Sequence, residues 1–189
     1  MFSCEFLDLV GGAIAKNNCA DIEKVVNILF DVRRYSGRLF IIGSGGGAGH
    51  ASHAVCDFRK LCNFEAYAPY DNISELTART NDEGFDTTII NWLKVSSFNQ
   101  KDCIFVFSVG GGTEEVSQNI VKALRYARGM DAKIVGVVGR TGGITKELSD
   151  ACILIETDEH ITPIVEGLQA VIWHLIVSHP KLQINKTVW

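Results

Sequence analysis

The chain holds 189 residues, with 18 basic and 22 acidic side chains and a formal net charge of −4. That length suits one domain, and 47% hydrophobic content supports a sizeable core. The mild acidity excludes a whole-surface attraction to nucleic acid or anionic membrane, though not a local cationic pocket.

Residues 3–34 read as helix with a break near Asn17–Asn18, since Ile22, Val25, Val26, Leu29 and Phe30 recur at helical spacing. After Ser36-Gly37, Arg38–Gly43 (RLFIIG) opens a series of short, continuously apolar runs. Cys103–Ser108, Ile134–Gly139 and Cys152–Glu156 follow, with a weaker run at Phe64–Ala68. Helical patterns lie around 50–61, 86–98, 113–129 and 144–149, and a final helix is predicted over Thr162–His179. Strands apolar along their whole length are covered by helices on both faces. Strand and helix in alternation give an α/β fold, a three-layer sandwich around a five-stranded parallel sheet, preceded by a long N-terminal helix. Residues 1–189 are read as one domain, with a helical segment at 1–36 and the α/β core at 37–189.

No apolar run reaches the ~20 residues of a membrane span, and the start MFSCEFLDLV carries acids where an export signal carries bases. A cytoplasmic protein without membrane or nucleic-acid partners is expected. The six cysteines (Cys4, Cys19, Cys56, Cys62, Cys103, Cys152) form no CxxC pair and read as reduced, buried thiols.

Ligands of parallel α/β sheets gather where strands end, and two of those junctions are glycine-rich: Gly43-Ser44-Gly45-Gly46-Gly47-Ala48-Gly49 and Ser108-Val109-Gly110-Gly111-Gly112-Thr113. Such loops aim N–H groups at an anion, and each is expected to open a helix whose N-terminus adds about half a positive charge. A phosphate is the expected guest. Gly43-x-Gly45-x-x-Ala48 also imitates a dinucleotide fingerprint, but Glu65 starts its strand rather than ending it, and the second loop has no role in that scheme. No Gly-Lys-Ser/Thr follows to make a Walker loop.

The order IIGSGGG, FSVGGGT, VVGRTGGITKELSD resembles the sugar isomerase (SIS) domain, whose fold is flavodoxin-like or Rossmann-like. Asn81-Asp82-Glu83-Gly84-Phe85 is similar to an NDYGF-type segment of its phosphoheptose isomerase branch. The resemblance implies that Ser44, Gly45, Gly46, Gly47, Ser108, Gly110 and Thr113 hold a sugar phosphate, with Asn72, Asn81 and Asp82 at the substrate. Ser44 stands for the family's Asn, Gly47 for the serine of GGS, Gly110 for the second serine of STS, and Asn72 for a sugar-binding Asp.

His53 and Asp57 lie four apart on one helix face, and Glu166 and His174 lie eight apart on the closing helix. Taken singly, His174 in AVIWHLIV reads as a core histidine and the carboxylates as solvated groups. The resemblance assigns the four to the family's HxxxE and QxxxxxxxH positions. It implies one divalent metal, Zn²⁺, on His53, Asp57, Glu166 and His174, with Asp57 and His174 as the catalytic pair. The implied reaction interconverts sedoheptulose 7-phosphate and D-glycero-D-manno-heptose 7-phosphate through an enediol. Two alternatives stay open: a non-catalytic SIS module binding a sugar phosphate or a protein, and an isomerase of another sugar phosphate. The family's habit implies a homotetramer with sites at subunit interfaces.

Overall fold

A computed structural model describes residues 1–186. The N-terminal helical segment is two helices, α1 (Phe2–Ala15) and α2 (Cys19–Arg34), divided where expected. The Asn18 side chain accepts from the Ala20 N–H at 2.9 Å and so caps α2. The core then runs β1 (Leu39–Gly43), α3 (Gly46–Cys62), β2 (Ala66–Tyr67), α4 (Ile73–Glu83), a 3₁₀ turn (Phe85–Thr87), α5 (Thr88–Val95) and β3 (Cys103–Ser108). It continues through α6 (Gln118–Gly129), β4 (Lys133–Val138), α7 (Gly143–Leu148), β5 (Ala151–Leu154) and α8 (Ile161–Ser178).

All pairings are parallel, in the order β2-β1-β3-β4-β5. Because side chains alternate across a strand, each apolar run supplies two layers. Leu39, Ile41, Cys103, Phe105, Phe107, Val135 and Val137 face one core with α2, α3 and α8. Phe40, Ile42, Ile104, Val106 and Ile134 face the other with α5 and α6. The three-layer sandwich read from the sequence is therefore the observed architecture.

Three local expectations are corrected. Helix α6 starts at Gln118, not 113, because the Thr113 hydroxyl accepts from the N–H groups of Glu115 (3.2 Å) and Val116 (3.1 Å), and Ser117 sits at φ 58°. That local hydroxyl bonding competes with the helix, so the second glycine loop does not open directly onto one. Helix α4 carries no buried residue, hence no apolar periodicity to read; Asn72 caps it by accepting from the Glu75 N–H at 3.2 Å. Third, Cys4, Cys19 and Cys56 are exposed rather than buried, since they lie on outward helix faces. All six cysteines are free, and burial pushes the Cys62 thiol up to about 12.

By length and composition α8 could cross a membrane, but its Ile164, Val165, Leu168, Ile172, Trp173, Ile176 and Val177 are buried in the protein's own core. Its Arg-free face against α3 carries the residues that matter next.

Candidate active site

The chain leaves β1 toward β2 on one side and returns to β3 on the other. This reversal opens a crevice at the carboxyl ends of β1 and β3, where both glycine loops emerge. Gly45, at φ 59° and ψ −126°, turns the chain from β1 into α3 in a conformation reserved for glycine, and no side chain caps that helix.

About two and three turns further along α3 stand His53 and Asp57. His53, Asp57 and, from α8, His174 bring ligand atoms within 4.8 Å of one another. Asp57 is only 7% exposed, and its Oδ2 lies 3.9 Å from His174 Nε2. His174 Nδ1 is 2.7 Å from the Ala170 carbonyl. A carbonyl only accepts, so Nδ1 donates to it and Nε2 is the ring nitrogen turned toward Asp57. The His53 ring stands edge-on to both His174 (5.5 Å) and Trp173 (4.8 Å). A buried carboxylate facing a ring nitrogen can exchange protons with a substrate placed between them.

The same three groups fit a metal. Two imidazoles and a carboxylate match a three-ligand N/O site that leaves a coordination position for substrate, and the Ala170 bond orients His174 as outer partners orient metal-bound histidines. Glu166 lies outside this group. Its carboxylate rests against the first turn of α3, where a Cβ on Gly46 would fall 2.5 Å from Glu166 Cδ. His50, between them, is half-buried; burial lowers its pKa, with the main chain and carboxylate of Glu166 pulling the other way.

Across the crevice, the second glycine loop is braced from within. Ser108 Oγ accepts from the Gly111 N–H at 3.0 Å. The Gly111 carbonyl accepts from the Thr145 N–H (2.9 Å) and hydroxyl (2.7 Å), and the Gly112 carbonyl from the Ile144 N–H (3.0 Å). Loop carbonyls thus occupy the N-terminus of α7. Beside the loop is a cleft of about 510 Å³ lined by Gly110, Gly112, Thr113, Ser117, Arg140 and Thr162.

With this geometry in place, the comparisons are informative. The SIS domain family profile matches residues 7–139. The chain belongs to the SIS domain family. It is 34% identical over 167 residues to the lincomycin biosynthesis protein LmbN of Streptomyces lincolnensis, covering 80% of this chain and 59% of that protein's length. It is 31% identical over 160 residues to the phosphoheptose isomerase of Helicobacter hepaticus, covering 82% of this chain and 78% of that one. The solved phosphoheptose isomerase GmhA from Neisseria gonorrhoeae superposes with a TM-score of 0.79 at 20% identity, covering 93% and 92% of the two chains. The fold expected from the sequence resemblance is borne out.

The profile's span holds His53 and Asp57, while Glu166 and His174 lie beyond it on α8. Other expected positions of this SIS domain scatter. Asn72, Asn81 and Asp82 are exposed on α4, where Asn81 Nδ2 donates to Asp82 Oδ1 at 2.7 Å and Asn72 serves as a cap. The hydroxyl oxygens of Ser108 and Thr113 accept from N–H groups of their own loop, which leaves each O–H hydrogen to donate. Ser44, half-buried at the end of β1, is met by Asn119 and Tyr70, which the sequence reading missed. Tyr70 follows β2 at a strand end and could have been suspected; Asn119, inside the run QNIVKAL, carried no signal.

Proposed function

We propose that this SIS domain interconverts sedoheptulose 7-phosphate and D-glycero-D-manno-heptose 7-phosphate. The observation that carries the reading is the Asp57–His174 pair, with Nδ1 on the Ala170 carbonyl and Nε2 3.9 Å from the carboxylate, in a family whose relatives include phosphoheptose isomerases. Asp57 takes a proton from C1 of the ketose, giving the enediolate with its charge on O2. The O1 proton passes to O2 with His174 as relay, and the protonated Asp57 returns a proton to C2, giving the aldose and restoring the carboxylate. Acid/base groups of this kind typically contribute about 10²–10⁴ in rate.

His53, Asp57 and His174 would hold a zinc ion, which when bound polarises the carbonyl oxygen. Glu166 joins them only by turning away from Gly46, so we assign it to the first turn of α3 and not to the metal. The phosphate is received by the second-loop cleft at Gly110 and Thr113, where Arg140 supplies a cation; at the first loop the Gly47 amide donates to the Ser44 carbonyl and the Glu166 carboxylate lies against Gly46. We further propose that 1–36 is an assembly segment of a homotetramer, supported by Phe2 and Leu7, which α1 exposes at 66% and 67%.

A second reading, a binding module without catalysis, draws on Gly47 and Gly110, which stand where the resemblance expects phosphate-loop serines. One experiment separates the two. The purified protein is incubated with sedoheptulose 7-phosphate in deuterium oxide, with and without zinc. Deuterium at C1 or C2 supports the isomerase; binding without exchange under either condition supports the module.

A further inference from the structure

Behind the first glycine loop lies a buried polar array that the reaction above does not use. Asn119, in the first turn of α6, is 1% exposed. Its Nδ2 lies 3.2 Å from Ser44 Oγ and 3.1 Å from Tyr70 Oη. These three side chains come from the ends of β1 and β2 and the start of α6, so they clasp the crevice from three elements. Both amide hydrogens of Asn119 are committed, and a carboxamide nitrogen only donates. Each hydroxyl oxygen therefore accepts from Asn119; Tyr70 and Ser44 also bond to each other, and with the phenol hydrogen given to Ser44 Oγ the Ser44 hydrogen is the one left for the crevice.

The other end of the same carboxamide is costly. Asn119 Oδ1 is buried and, among the described residues, has no hydrogen-bond partner, an arrangement that destabilises a fold. An apolar side chain would serve the core better. What the carboxamide returns is the orientation of two hydroxyls at the edge of the loop expected to hold the ligand. Burial raises the Tyr70 phenol to about 12, only partly offset by its bonds to Asn119 and Ser44, so it remains an O–H group.

We propose that Asn119 is a positioning residue that, with Tyr70 as second anchor, holds the Ser44 hydroxyl as a hydrogen-bond donor to an oxygen of the bound sugar. The inference rests on the sugar-phosphate reading above. It concerns the sugar rather than the phosphate, and it does not require turnover.

The decisive variant is Asn119→Asp, which keeps the shape but can only accept. Ser44 and Tyr70 must then donate to it, and the Ser44 hydrogen leaves the crevice. Affinity is measured by calorimetry for sedoheptulose 7-phosphate, fructose 6-phosphate, ribulose 5-phosphate and inorganic phosphate, with KM and kcat for whichever sugar turns over. Expected is a loss of sugar-phosphate affinity of about 10-fold, with inorganic phosphate and kcat unchanged. The conservative Tyr70→Phe should lose about 3–10-fold, the range of one hydrogen bond. Asn119→Asp in a Ser44→Ala background should lose nothing further.

Unchanged sugar affinity in Asn119→Asp overturns the proposal, and is what the opposite carboxamide orientation would give. Should that variant fail to fold, Tyr70→Phe and Ser44→Ala decide: unchanged sugar affinity in both overturns it. A wild-type protein that binds a sugar phosphate without isomerising it defeats the isomerase reading alone. One that binds none of the three defeats both.

Discussion

Replacing Asp57 by Asn keeps the side chain's shape and removes its capacity to take a proton. Asp57 is nearly buried and lies 3.9 Å from His174 Nε2, whose side chain is 44% exposed. When His174 carries a proton during the relay, a charge pair at that separation is worth about 1 kcal/mol in water and about 4 at an effective dielectric of 20. With one partner buried and the other half in solvent, the pair lies between these limits. The lost general base adds to this, so kcat should fall by about 10²–10⁴, equivalent to about 2.7–5.4 kcal/mol. The substitution leaves no buried charge behind, so the melting temperature should hold within a few degrees. Deuterium exchange at C1, followed by NMR, is the assay. Asp57→Glu provides the contrast: one methylene reaches about 1.3 Å further, bringing the carboxylate into hydrogen-bonding range of Nε2, and activity should survive. A folded Asp57→Asn protein retaining more than a tenth of wild-type kcat would refute Asp57 as the base.

Metal affinity gives a separate test. His53→Ala should weaken zinc binding by more than the ~10–100-fold typical of losing an outer partner, measured by competition with a chromophoric chelator; equal affinity would remove His53 from the site. Gly111→Ala should be destabilising by at least about 2 kcal/mol, because Gly111 is at φ 72° and an added Cβ would meet the Gly142 carbonyl oxygen at 1.8 Å. At ~2–4 °C per kcal/mol that is a fall of about 4–8 °C. Gly167→Ala, with open space around it in α8, should instead gain up to about 1 kcal/mol. Acid stability should report on Asp150. Burial alone would raise its pKa, but the Ile134 N–H (2.9 Å), Lys133 and Arg128 (3.1 Å each) outweigh that and hold it low. A lowered pKa means stability present above the unfolded value near 3.9 and lost as pH falls through the folded one. Asp150→Asn should therefore cost about 1 kcal/mol at pH 7 and progressively less below pH 4, in urea melts at each pH.

The strands and their order of appearance were legible because they are apolar on both faces, and Cys103–Ser108 was bounded to the residue. Polar structure was not. Helix α4 (ISELTARTNDE) buries nothing, so no pattern announced it, nor that Asn72, expected at the substrate, turns its side-chain oxygen to the cap. His53, Asp57 and His174 were recoverable because helical spacing and a resemblance agreed on them. Glu166 shared the spacing but not the destination: about two turns along α8 separate His174, level with Asp57, from Glu166, level with Gly46, and spacing carries no information about depth. Asn119 was out of reach because its partners, Ser44 and Tyr70, are joined to it only through the fold.

Helix α8 is the last long element of the chain, and it alone brings His174 to residues laid down in α3. During synthesis the glycine loops and half of the proton-transfer pair can fold while that helix is still to be made. A chain stopped before α8 holds all five strands and both glycine loops but only His53 and Asp57 of the cluster. On the proposed mechanism, activity is accordingly a report that α8 has docked.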